Sequence, residues 1–254
     1  MDTFDLSGQR AIVTGGTRGL GRGAAEALMS AGASVVIFGT SDRVDGIAAE
    51  YRQKGLDCHG LKVNVGDAEE RQHGFAAAVD LLGGLDIIVN AAGIQRRYPC
   101  EEFPLDAWTD VLDVNLTAPF ALSQLAINEF EKKEIPYGKI INFASMLSFF
   151  GGYTVPAYAA SKGGVAQFSK ALCNEVASKG INVNCIAPGY MDTEMNSALT
   201  DANSPRNKEI TDRIPAHRWG TAEDIKGLII FLSSHASDYI NGAVIPCDGG
   251  YLVK

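Results

Sequence analysis

Short β-branched runs alternate with longer helical stretches along nearly the whole chain, and that alternation constrains the fold more than any other feature. Strands are expected over residues 10–14, 34–38, 61–65, 85–90, 139–143, 181–186 and 243–246. Helices are expected over 20–31, 44–54, 68–82, 105–132 and 155–179. Runs such as Val35-Val36-Ile37-Phe38 and Ile87-Ile88-Val89 are apolar at every position, so both faces of those strands must be covered. Parallel strands joined by right-handed helical crossovers meet that requirement in a doubly wound α/β sheet. No internal repeat, low-complexity tract or linker interrupts the pattern, which implies one domain over all 254 residues. Residues 190–215 are polar and without a clear period, and are expected to form a substrate loop after a strand's carboxyl end.

Between the first strand and the first helix lies Thr14-Gly15-Gly16-Thr17-Arg18-Gly19-Leu20-Gly21, with Gly15, Gly19 and Gly21 spaced G-x-x-x-G-x-G. Glycines let the backbone turn tightly and approach a pyrophosphate, while the helix N-terminus offers free N–H groups and a positive dipole end. A dinucleotide cofactor is therefore expected. Its type, NAD or NADP, would be read at the end of the second strand, by an acid for a ribose hydroxyl or a base for a ribose phosphate. That strand ends Gly39-Thr40-Ser41-Asp42-Arg43, with no acid directly after the apolar run. Thr40, Ser41, Arg43 and Arg18 suit a phosphate, Asp42 suits a ribose hydroxyl, and the choice stays open with a lean to NADP on charge.

Tyr158 and Lys162 stand four residues apart at the start of a helical stretch and share a face. Tyrosine titrates near pH ~10, too high for a base at neutrality. A neighbouring ammonium favours the phenolate, so Lys162 is expected to lower the Tyr158 pKa. Ser145, just after the fifth strand, is placed to hydrogen-bond a substrate oxygen beside Tyr158.

Composition removes other classes of function. The net charge of −8 argues against nucleic acid and against an anionic membrane surface. No stretch is long and apolar enough to span a membrane, and no leader pattern opens the chain. The five cysteines form no C-x-x-C pair and read as buried thiols of a cytoplasmic protein. The four histidines and the cysteines show no metal-ligand spacing, so no metal is expected.

The residues from Thr14 to Gly21, Asn90-Ala91-Ala92-Gly93, Asn115, Ser145, Tyr158 with Lys162, Pro188-Gly189 and Asp248-Gly249-Gly250 occur in one order and spacing. In that pattern the chain resembles the short-chain dehydrogenase/reductase family over essentially its whole length. The resemblance implies a Rossmann-like domain with strand order 3-2-1-4-5-6-7, an NAD(P)-dependent oxidoreductase activity and a homotetramer. It implies that Tyr158 exchanges the substrate proton and Ser145 polarises the carbonyl. Lys162 would lower the tyrosine pKa and bind the nicotinamide ribose, while Asn115 would hold a relay water. The implied cofactor set is Thr14, Gly15, Thr17, Arg18, Gly19, Leu20 and Gly21 of the turn, with Thr40, Ser41, Asn64, Val65, Asn90, Ala91 and Gly93 after the next strands. Pro188, Gly189 and Thr193, together with Tyr158 and Lys162, complete it at the nicotinamide end. Asn64 stands where the family more often has Asp.

Within the family, the stretches 92–97, 140–149 and 213–220 are similar to sugar-acid dehydrogenases of gluconate and deoxygluconate type. A keto sugar acid is then the implied small-molecule substrate. Arg96 and Arg97 follow the fourth strand, where a guanidinium either clamps the substrate carboxylate or makes a structural ion pair. Two alternatives belong to other branches: a 3-oxoacyl-(acyl carrier protein) reductase, or a non-catalytic cofactor sensor on the same fold. An acidic carrier calls for a basic docking face, which the net charge disfavours. Sensors of this kind lose Tyr or Lys, and this chain keeps both.

Overall fold

The computed structural model describes residues 3–197, 199–201 and 205–254. The part of the expected substrate loop at 198 and 202–204 lies outside the described residues. The strands are β1 (Arg10–Thr14), β2 (Ser34–Gly39), β3 (Cys58–Lys62), β4 (Ile87–Asn90), β5 (Gly138–Phe143), β6 (Ile181–Pro188) and β7 (Val244–Cys247). They form one sheet in the order β3-β2-β1-β4-β5-β6-β7, with every pairing parallel. The α/β class and strand order agree with the expectation.

The helices are α1 (Gly19–Ser30), α2 (Arg43–Gln53), α3 (Ala68–Leu82), α4 (Leu105–Leu112), α5 (Ala118–Phe130), α6 (Pro156–Val176), α7 (Pro205–Arg213) and α8 (Ala222–Ser233). Side chains alternate across each strand, so Ala11 and Val13 of β1 face one layer and Ile12 the other. The first layer packs Ala24 and Leu28 of α1 with Ile225 and Ile229 of α8. The second packs Phe75 and Ala78 of α3 with Leu122 and Ala126 of α5. Two covered faces explain why the central strands carry no polar alternation.

Three expectations are corrected. The third strand runs over Cys58–Lys62 rather than 61–65, because its register aligns Lys62 with Gly39, the last residue of β2. Val63, Asn64 and Val65 then leave the sheet and become free to line a cavity. The helix expected over 105–132 is broken by a π-helical turn, Asp113–Thr117. Pro119 has no N–H to give the Asn115 carbonyl, so the ordinary ladder cannot pass that point. Helices α7 and α8 answer to no expected element: α7 lies within 190–215, expected to be an irregular loop, and α8 is announced by a capping box of Thr221 and Asp224 at its start. The Thr221 N–H donates to Asp224 Oδ2 at 2.7 Å.

Candidate active site

The carboxyl ends of β1, β2, β4, β5 and β6 open onto one cavity of about 300 Å³. This is where a doubly wound sheet binds its ligands, since helix N-termini and irregular loops meet there. At one end stands the glycine turn, whose Gly15 and Gly19 have φ of +66° and +54°. Gly21 packs so closely that a Cβ there would lie 2.2 Å from the Gly15 carbonyl oxygen. Beneath the turn, Thr14 Oγ1 accepts from the N–H groups of Ala91 and Ala92, each at 3.0 Å. That hydroxyl ties the end of β1 to the chain leaving β4.

Ser145, Tyr158 and Lys162 line the other end of the cavity. Local structure sets each of them. Ser145 caps a 3₁₀ turn, its Oγ accepting from the Leu147 N–H at 3.1 Å, which leaves the hydroxyl hydrogen free to donate. Pro156 opens α6, which carries Tyr158 and Lys162 on one face. Ser148 Oγ accepts from the Ser145 N–H at 3.3 Å and donates to the Lys162 carbonyl at 2.6 Å. This serine fixes the loop bearing Ser145 against α6. Its only sequence signal is the Ser145-x-x-Ser148 spacing.

The electrostatics differ from the expectation at one point. Lys162 Nζ donates to the Phe143 carbonyl at 2.6 Å and lies 5.7 Å from the centre of the Tyr158 ring, over its face. The ammonium is thus held by a backbone oxygen and not by the phenol oxygen. Burial holds the Tyr158 phenol above its ordinary value, and the Ser145 hydroxyl pulls it partly back. Burial likewise pushes Lys162 down to about 8.

That depression gives a test. The folded chain releases the Lys162 proton near 8, whereas the unfolded chain holds it until 10.5. The unfolded state therefore binds more protons in that window, and Lys162 adds stability as pH rises through it. Denaturant midpoints of wild type and Lys162→Met, compared below 8 and near 10, should move in favour of wild type at the higher pH. A constant difference would show that burial does not depress this group.

Most of the expected cofactor residues converge on the cavity. Gly15, Thr17, Arg18, Gly19, Leu20, Gly21, Thr40, Asn64, Val65, Ala91, Gly93, Pro188, Gly189 and Thr193 line it. Others do not. Thr14 lies beneath the turn, as described. Asn90 is buried at the end of β4, where its Nδ2 donates to Asn142 Oδ1 of β5 at 2.8 Å. Asn115 is buried too: its Oδ1 accepts from the Ile94 N–H at 2.8 Å, and its Nδ2 donates to the Ile94 carbonyl at 2.9 Å and Ser161 Oγ at 3.3 Å. These bonds hold the chain after β4 against α6. Ser41 is exposed outside the lining, and Asp42 is paired with Lys62 at 2.8 Å.

Neither Arg96 nor Arg97 lines the cavity. Arg96 makes a 2.7 Å ion pair with Asp110, the structural alternative left open above. Arg97 is exposed and has no ion pair among the described residues. The lining also includes residues the sequence did not single out, among them Glu194, Met195 and Asn196 of the segment after β6. Their polar, aperiodic sequence carries no motif.

A family model described as enoyl-(acyl carrier protein) reductase matches residues 15–252, from the glycine turn to the last residues beyond β7. The chain belongs to the short-chain dehydrogenase/reductase family. The match spans the glycine turn and Ser145, Tyr158 and Lys162 alike. The 2-dehydro-3-deoxy-D-gluconate 5-dehydrogenase of Bacillus subtilis (strain 168) is 43% identical over 253 residues, covering 100% of this chain and 98% of that one. An Agrobacterium tumefaciens protein described as a 2-deoxy-D-gluconate 3-dehydrogenase, solved with bound NADP, superposes with a TM-score of 0.92 at 43% identity and full coverage of both chains. A gluconate 5-dehydrogenase of Burkholderia cenocepacia J2315, solved with NADP and tartrate, gives 0.95 at 36% identity, covering 100% of this chain and 98% of that one. The protein is an oxidoreductase of this family, and none of its described helices is long and apolar enough to cross a membrane.

Proposed function

We propose that this chain reduces a keto sugar acid of gluconate or deoxygluconate type with NADPH, and oxidises the matching alcohol in reverse. The observation that carries this reading is one cavity with the glycine turn at one end and Ser145, Tyr158 and Lys162 at the other. The cradle fits a dinucleotide: backbone packs so tightly at Gly15 that a Cβ would lie 2.9 Å from the Ala92 Cα, and the cavity is long enough to join both ends. In the cradle, the glycine turn would hold the pyrophosphate. Arg18, Thr17 and Thr40 would hold the adenosine ribose end, with Asn64 and Val65 beside the adenine. Pro188, Gly189, Thr193 and Lys162 would hold the nicotinamide end. Gly39 offers no carboxylate to a ribose hydroxyl and Arg18 offers a cation, which favours the phosphorylated cofactor.

When bound, the nicotinamide supplies or takes a hydride. The chain's own residues handle the proton. A phenol held above its ordinary pKa is protonated at neutrality, so Tyr158 stands as the acid that gives its proton to a ketone oxygen. The free hydroxyl hydrogen of Ser145 donates to the same oxygen and polarises it. Asn115 and Ser161 fix the relation of α6 to the chain after β4. Oxidation of the alcohol needs the phenolate, so it gains rate as pH rises while reduction does not.

Arg97 is the better candidate for the substrate carboxylate. The Tyr98 N–H donates to the Thr154 carbonyl at 3.1 Å, which brings the segment after β4 to the loop just before Tyr158. Arg96 is engaged with Asp110. Arg97→Ala should raise KM for 5-keto-D-gluconate about tenfold and spare a neutral ketone, while Arg96→Ala changes both by less than about twofold. Equal effects on acid and ketone would remove the carboxylate role.

The function itself is tested by a panel of keto sugar acids and an acetoacetyl thioester, each assayed with NADPH and NADH. A kcat/KM highest for a keto sugar acid with NADPH supports the reading. Preference for the thioester assigns the chain to the fatty-acid branch instead. Exposed Phe120, Phe149 and Tyr153 supply apolar surface for assembly of a homotetramer, and five free thiols suit a cytoplasmic location.

A further inference from the structure

We infer that Glu194 is a specificity-determining residue for the cofactor, because its carboxylate is paired with Arg18 and opposes a ribose phosphate that comes to the same guanidinium. The inference rests on the reading that Arg18 meets that phosphate. Among the described residues lining the cavity, the charged ones are Arg18, Glu194 and Lys162. Lys162 is engaged with the Phe143 carbonyl at the far end. Arg18 and Glu194 are engaged with each other, Nη1 to Oε2 at 2.6 Å.

The pair joins the glycine turn to the segment that follows β6. Arg18 sits in the glycine turn, beside Thr17, whose methyl would lie 2.6 Å from a Cβ on Gly39 at the end of β2. Glu194 opens a single 3₁₀ turn, Glu194–Asn196, in the segment that follows β6. Thr193, its neighbour, approaches within 3.7 Å of where a Cβ on Gly19 would stand. The bridge therefore sets a carboxylate beside the Arg18 guanidinium, on the cavity lining.

Both partners are largely exposed, at 71% and 68% of their side-chain surface, so the pair is weak and can exchange partners. A ribose phosphate carries more charge than the carboxylate and presents three acceptor oxygens to a planar guanidinium. The 2.6 Å contact engages one guanidinium nitrogen, so a phosphate would share Arg18 with Glu194 or replace it, and in either case the carboxylate stands close to a like charge. A cofactor without the phosphate leaves the bridge intact. Glu194 thus lowers affinity for NADPH selectively.

The test is equilibrium binding of NADPH and NADH to the protein without substrate, followed by quenching of tryptophan fluorescence. Glu194→Gln and Glu194→Ala should each tighten NADPH roughly two- to fivefold and leave NADH unchanged. In an Arg18→Ala background the gain should vanish, and the NADPH preference should fall. Equal tightening of both cofactors, or a gain that persists without Arg18, overturns the inference while leaving the function standing. An Arg18→Ala variant that keeps its full NADPH preference overturns the phosphate reading, and the inference with it. Both Glu194 variants alter an exposed side chain, and matching thermal melts would establish that the fold is intact.

Discussion

Tyr158→Phe should lower kcat by about 10²–10⁴-fold while cofactor affinity stays within about twofold of wild type. Phenylalanine keeps the ring that packs against Lys162 and removes only the hydroxyl. The chain then has no proton donor at the substrate oxygen. Ser145 remains, but an aliphatic hydroxyl is too weak an acid to yield its proton at neutrality and only polarises the oxygen by a hydrogen bond. Stopped-flow reduction of a keto sugar acid, with a parallel cofactor titration, separates chemistry from binding. Turnover near that of wild type would mean that another group donates the proton. A large loss of cofactor affinity would mean that the phenol binds rather than reacts.

Gly21→Ala should destabilise the protein by about 2–3 kcal/mol and weaken cofactor binding by at least about tenfold. The added methyl would lie 2.2 Å from the Gly15 carbonyl oxygen and 2.8 Å from its carbonyl carbon. Both obstacles are backbone, so no rotamer change relieves them. Either α1 moves away from the sheet or the glycine turn opens, and either motion spoils the cradle. Gly227→Ala provides the contrast. Gly227 lies in α8 with open space around its Cα, so alanine there should be neutral or stabilising by about 0.5–1 kcal/mol. Urea unfolding of the two variants, with cofactor titrations of each, decides the matter. Equal behaviour would show that the close approach at Gly21 is not what shapes the turn.

Much of the fold was legible because its signals are local. The apolar runs of β1, β2, β4, β5 and β6 and the bounds of α3 followed from short-range pattern. Where a boundary depended on a partner strand, as at β3, local pattern erred by several residues. The break before α5 was visible in Pro119, yet apolar periodicity across 105–132 outweighed it. The capping box of α8 is a local signal as well, but it follows a long aperiodic segment with no apolar period leading into it.

The same division holds at the site. Spacing alone put Tyr158 and Lys162 on one helix face, and the glycines after a strand marked the cradle. Spacing could not say what each cation would find. Lys162 meets the Phe143 carbonyl, Arg96 meets Asp110 and Arg18 meets Glu194, whose partner lies 176 positions away.

From its sequence alone, then, this protein determined its strand–helix alternation, its α/β class, its glycine cradle and the Tyr158–Lys162 pair. These depend on residue periodicity and on contacts within a few positions. Only the tertiary structure decided which side chains line the cavity, the direction in which burial moves Tyr158 and Lys162, and the pairing of Arg18 with Glu194. Those outcomes depend on desolvation and on charges brought together across the sheet, which no local pattern encodes.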